Sequence, residues 1–118
     1  MLTTTYRNQI QIAEQPLLFE IKTDLHVDRL VSQLYPDHPW GVRRDAAIKL
    51  GSMRSQAAVP YLLATLPFDP FWMVRYAIIQ ALQQIGDPAA IPTLEYVAEH
   101  DTYQVVRSFA ERAIRRIS

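Results

Sequence analysis

Apolar residues recur along this chain with the period of an α-helix, and the pattern returns at a fixed offset. Val42, Ala46, Leu50 and Met53 fall at i, i+4, i+8 and i+11, the spacing that lines one stripe of a helix. Val74, Ile78, Leu82 and Ile85 repeat that spacing 32 residues on, and Val106, Ala110, Ile114 and Ile117 repeat it once more. Between these stripes lies a shorter one, Val59, Leu62 and Leu66 at i, i+3 and i+7, matched by Ile91, Leu94 and Ala98. Each unit therefore reads as two amphipathic helices, A then B, and a period of this length belongs to stacked repeat architectures.

The punctuation between the stripes agrees with that reading. In Gly86-Asp87-Pro88 a glycine suited to end one helix in the left-handed conformation precedes a capping Asp and a first-turn Pro. Asp69-Pro70 repeats the start signal at the next helix. Pro60 and Pro92 lie a few residues inside helix B, where the missing N–H bends the first turn or delays the regular helix. The spacing predicts helices over 24–35, 39–53, 56–66, 70–85, 88–99 and 103–117, without a β-sheet after Asp37. It places Leu50, Met53, Leu62, Ile78, Leu82, Ile85, Ile91 and Leu94 in the core.

Sliding back another 32 residues finds a worn copy, in which Val27, Leu30 and Leu34 fit helix B and Leu18 and Ile21 fit the end of helix A. Glu14, Gln15 and Pro16 break the pattern. The expected organisation is a single domain over 1–118. It has a tail and irregular cap over 1–16, a degenerate repeat over 17–36, full repeats over 37–68 and 69–100, and a half repeat over 101–118. The fold class that follows is all-α, an α-solenoid of about three helical hairpins with an irregular N-terminal capping repeat.

The order within the unit is Asp (37, 69, 101), then Val-Arg (42-43, 74-75, 106-107), then an Ala/Ile-rich helix. Next come Gly86-Asp87-Pro88-Ala89-Ala90-Ile91-Pro92 and a leucine-bearing helix. This order resembles the short bacterial HEAT repeat, often called the phycobilisome-lyase HEAT-like repeat, over about Asp37–Ile117 and more weakly over Leu17–Leu34. The resemblance implies an Arg–Asp ladder along the array, Arg43 reaching Asp69 and Arg75 reaching Asp101, with Asp37 and Arg107 left as its ends. It also implies that helix B lines the inner side of the array. Its members include bilin lyase subunits, factors for phycobilisome breakdown and scaffolds.

Composition narrows the function classes. Twelve basic and twelve acidic side chains cancel, so no overall field gathers nucleic acid or anionic membrane around the molecule. The absence of cysteine excludes a disulfide framework, a thiol nucleophile and any cysteine-based metal centre. No apolar run approaches the roughly 20 residues of a membrane-spanning helix, and Met1–Ile12 lacks the pattern of a secretion signal. A cytoplasmic location is the expectation.

Candidate chemistry is sparse. His26, His38 and His100 do not recur at the repeat offset, and no pair has the i, i+4 spacing of a helical zinc site, so neither a metal nor a cofactor is expected. Glu95 and Glu99, one turn apart and near Asp101, read as a solvated acidic face rather than a proton-sharing pair. No glycine-rich phosphate loop or nucleophile motif occurs. Arg107, Arg112, Arg115 and Arg116 gather on the last helix beside Glu111, a pattern of a solvated face more than of a nucleic-acid groove.

The expected function is thus a non-enzymatic protein-binding module, with a bilin lyase subunit or phycobiliprotein-binding factor as the alternative that the resemblance implies. Nucleic-acid binding is the disfavoured third. Candidate contacts on helix B are Arg29, Gln33, Tyr61, Thr65, Thr93 and Tyr96, which alternate with the core positions. Phe68, Phe71 and Trp72, with Trp40 and Tyr103 at or near equivalent positions, form either an inter-repeat stack or an aromatic ridge for a partner. Val106, Ala110, Ile114 and Ile117 have no following helix B to cover them, so Phe109 and its neighbours are expected to join a self-association or partner-binding surface.

Overall fold

The computed structural model describes residues 25–118. The tail, the cap and the degenerate first helix expected before residue 25 lie outside the described residues. Helix α1 covers 25–32. There follow α2 (Trp40–Ser52), α3 (Val59–Thr65), α4 (Trp72–Ile85), α5 (Ile91–His100) and α6 (Gln104–Ile117). No strand occurs among the described residues.

The A helices α2, α4 and α6 pack one against the next, while α3 lies against α4 and α5 against α6. This makes a two-layer α-solenoid. The core is one continuous cluster fed by every unit, with Leu34, Leu50, Leu62, Ile78, Leu82, Leu94 and Val106 wholly buried.

Both B helices begin as their prolines dictate. One 3₁₀ turn, Gln56–Ala58 or Pro88–Ala90, precedes each α-helix, and Pro60 or Pro92 then sits in its first turn, where a missing N–H leaves no bond unmade. Pro67 ends α3 in the same manner and turns Leu66–Phe68 into 3₁₀.

Two predicted core residues lie elsewhere. Met53 is 38% exposed, because α2 stops at Ser52 and Met53 occupies its C-cap. Ile91 is half-buried at the first position of α5, with Ala90 taking the inner place. Near the same end of α2 the helices cross tightly. Gly51 is buried, and a Cβ added there would lie 2.7 Å from the Cα of Ala81 and would also meet the Gln84 side chain. The crossing of α2 on α4 thus requires a residue without a side chain.

The ends of α2 and α4 solve one problem with different residues. Gly86 closes α4 in the left-handed region at φ 75°, while Arg54, 32 residues earlier, holds φ 50°. The closing bonds differ: the Ser55 N–H reaches back to the carbonyl of Leu50, whereas at the end of α4 the Gly86 N–H itself bonds the carbonyl of Leu82. For a residue with a Cβ the left-handed conformation costs about 1–2 kcal/mol. The greater freedom of glycine in the unfolded chain offsets part of any gain. Arg54→Gly is therefore expected to raise stability by about 0.5–1 kcal/mol in urea melts. A loss would mean that the Arg54 side chain makes a contact worth more than the strain.

Candidate functional site

The residues with the most developed polar geometry form the ladder. Arg43 of α2 donates through Nε to Asp69 Oδ2 at 2.8 Å and through Nη2 to Oδ1 at 3.2 Å, and its Nη1 donates to the carbonyl of His38 at 2.6 Å. Arg75 of α4 repeats this on Asp101 at 2.7 and 3.1 Å, with Nη1 on the carbonyl of Asp69 at 2.8 Å. Each Asp also accepts a backbone N–H two residues on, that of Phe71 at 3.0 Å or Tyr103 at 2.9 Å, which fixes the turn entering the next A helix. Both rungs that the resemblance implied are formed.

The ladder ends for different reasons at its two heads. Asp37 has Pro39 where Asp69 and Asp101 have an N–H, so its carboxylate cannot close the turn, and its side chain is 78% exposed. Arg107 donates through Nη1 to the carbonyls of Asp101 and Thr102 at 2.6 and 3.2 Å, and its other two donor groups have no acceptor among the described residues.

Such a rung supports the fold and offers no chemistry. A guanidinium is never a base at ordinary pH, and the carboxylates of Asp69 and Asp101 are already committed to three N–H donors each. Glu95 and Glu99 are both exposed. Among the described residues no three His, Asp or Glu side chains lie close enough to share a metal ion. No helix there is long and apolar enough to cross a membrane.

The aromatic cluster divides. Trp40 and Phe71 meet at 4.7 Å, Trp72 and Tyr103 at 6.0 Å, and Tyr76 and Phe109 stack at 4.1 Å with 13° between planes. Each pair joins one A helix to the start or flank of the next. Phe71, Trp72 and Phe109 are accordingly half-buried inter-repeat contacts rather than a free ridge. Phe68 stands apart from them. Carried on the 3₁₀ turn after Pro67, it is 81% exposed.

The helix-B candidates separate in the same way. Arg29, Tyr61 and Tyr96 are exposed, and Gln33 and Thr93 are half-buried. Thr65 is 7% exposed and donates its hydroxyl to the carbonyl of Tyr61 at 2.9 Å, so it is a core residue and not a surface contact. Tyr96 and Thr93 share a groove of about 380 Å³ with Leu63, Pro67, Phe68 and Pro92. On the other flank of Phe68 a smaller recess of about 190 Å³ includes Leu34, Tyr35, Pro36 and Ala64. The A side has its own apolar groove of about 400 Å³, over Ile48, Trp72, Met73, Tyr76 and Val105.

The last helix is better covered than its stripe implied. Val106, Ala110 and Ala113 are wholly buried, and Phe109, Ile114 and Ile117 pack half-buried against the core.

A two-layer helical array with a 32-residue register and an Arg–Asp rung at each junction defines an α-solenoid repeat protein. The sequence profile of HEAT repeats matches residues 27–115, and the chain belongs to that family. It is 34% identical over 76 residues to the bilin biosynthesis protein PecE of Mastigocladus laminosus, covering 64% of this chain and 28% of that protein. It is 34% identical over 83 residues to the phycocyanobilin lyase subunit alpha of a Picosynechococcus, covering 65% of this chain and 31% of the other. Deoxyhypusine hydroxylase of Gallus gallus is 34% identical over 79 residues, covering 64% of this chain and 25% of its own length. The chain thus spans less than a third of the length of the relatives it matches.

Removing one partner of a rung leaves the other charge buried alone. Asp69→Ala is expected to cost about 3–5 kcal/mol in denaturant melts. A cost under about 1 kcal/mol would show that water replaces the carboxylate and that the rung is not what holds the junction.

Proposed function

We propose that the chain is a non-enzymatic protein-binding module that receives a partner segment on its helix-B surface, centred on Phe68. The observation that carries this reading is a phenylalanine 81% exposed between two apolar recesses. A large ring left mostly in water gains little from burial in the chain alone, whereas aromatic side chains that become buried dominate the energy of many interfaces. Tyr96 lines one recess and Tyr61 stands exposed on α3, and these supply polar tips beside apolar bodies, the mixture that protein interfaces favour. Membership in the HEAT-repeat family supports the same class of function.

The double variant Phe68→Asp with Tyr96→Ala is expected to retain at least about tenfold less partner in pull-downs from native lysate. Its stability should stay within about 0.5 kcal/mol of the parent, since both residues are exposed. Equal retention by parent and variant would place the binding surface elsewhere.

The second reading is an accessory role in bilin attachment, favoured by two relatives named for bilin biosynthesis and for a phycocyanobilin lyase subunit. A relative of equal identity named for a hydroxylase means that likeness of the repeats does not by itself bring an activity. Co-expression with an apo-phycobiliprotein and its bilin is the test. Under this reading the protein raises visible absorbance of the covalent adduct several-fold; an unchanged spectrum removes the reading and leaves the binding module.

A further inference from the structure

The outward face of α6 carries the inference, and the repeat register identifies it. Arg43 and Arg75 look forward to the next unit, and Arg107 takes their place in α6. One turn further on, Ala47 and Ile79 are buried where the following A helix packs, yet the equivalent residue is the exposed Glu111. A position that is apolar at two junctions is here charged.

Two features make it more than a solvated end. Arg107 is already oriented by its bonds to the carbonyls of Asp101 and Thr102, while Nε and Nη2, the edge that holds a carboxylate in both rungs, have no acceptor among the described residues. Glu111 forms no ion pair among the described residues although Arg107 and Arg115 each lie one turn from it. An ordinary next repeat would have to bury Glu111 against an apolar helix, which desolvation opposes. The occupant must bring a cation to Glu111 and a carboxylate to Arg107. The same face does both when turned about a two-fold axis.

We propose that this face pairs two copies of the chain antiparallel through α6, Arg107 of each copy gripping Glu111 of the other. A two-fold contact is self-complementary, so one pair of side chains supplies two ion pairs. Ile114, half-buried beside them, adds apolar contact. One helix pair falls short of the roughly 1,200 Å² of stable complexes, so the dimer is weak, with a dissociation constant on the order of 10⁻⁴ M, and it loosens with salt. This inference rests on the ladder register and is independent of the helix-B docking reading.

The test is sedimentation equilibrium of the whole chain between about 10 µM and about 1 mM at low ionic strength, spanning that constant. The parent should approach the dimer mass. Arg107→Glu and Glu111→Arg should each weaken association at least about tenfold, because like charges then face each other. An equimolar mixture of the two variants restores opposite charges across the contact and should associate at least as strongly as the parent. That recovery also separates loss of pairing from damage to the fold. A parent that stays monomeric throughout, single variants that associate like it, or a mixture that fails to recover would each overturn the proposal.

Discussion

A guanidinium withdrawn from water is stable only when its N–H groups find acceptors and its charge finds a counterion. Arg43 and Arg75 satisfy that constraint in a way that builds the array. Nη1 is anchored to a carbonyl just before its own helix, and the Nε–Nη2 edge grips an Asp that is itself fixing the turn into the next A helix. One side chain thus ties together two helix starts through partners 26 residues apart. The Trp40–Phe71 contact and the close crossing at Gly51 complete the first junction, and the Trp72–Tyr103 contact the second. The apolar core supplies the bulk of the stability, and the rung fixes the register in which the units meet.

Because the junctions consume the polar groups of the A-helix starts, function must be sought where residues are left over. On the B side Phe68, Tyr61 and Tyr96 remain in water beside apolar recesses. At the far end Arg107 keeps an open edge beside Glu111. These surfaces are of different character, one aromatic and one charged. The occupants proposed for them differ accordingly, a foreign segment for the first and a second copy for the other.

Much of this was legible in the sequence because a repeat offers several readings of the same position. Three Val-Arg pairs in register with three Asp residues carry the family resemblance that implied both rungs, and recurring apolar stripes specify helices and most of the core. What escaped depends on local geometry that periodicity does not encode. Met53 continues the stripe of α2 on paper, but the helix ends one residue earlier and leaves it exposed at the C-cap. Thr65 alternates with core positions yet turns inward, because its hydroxyl is satisfied by the helix's own carbonyls. Phe68 was legible as one ring in a cluster, and its separation from Phe71 and Trp72 follows from the 3₁₀ turn that Pro67 imposes. That turn was the available signal. The stripe of α6 seemed to need a cover, but substituting Glu111 for the apolar residue of earlier units had already altered its outward side.

The account depends above all on two closed rungs followed by an open one, and arginine side-chain NMR reads this directly. In a dilute sample the Nε protons of Arg43 and Arg75 should exchange slowly with solvent and show distinct, carboxylate-bonded shifts, while that of Arg107 exchanges at the rate of an unpaired side chain. Fast exchange at Arg43 or Arg75, or protection of Arg107 equal to theirs, would contradict it.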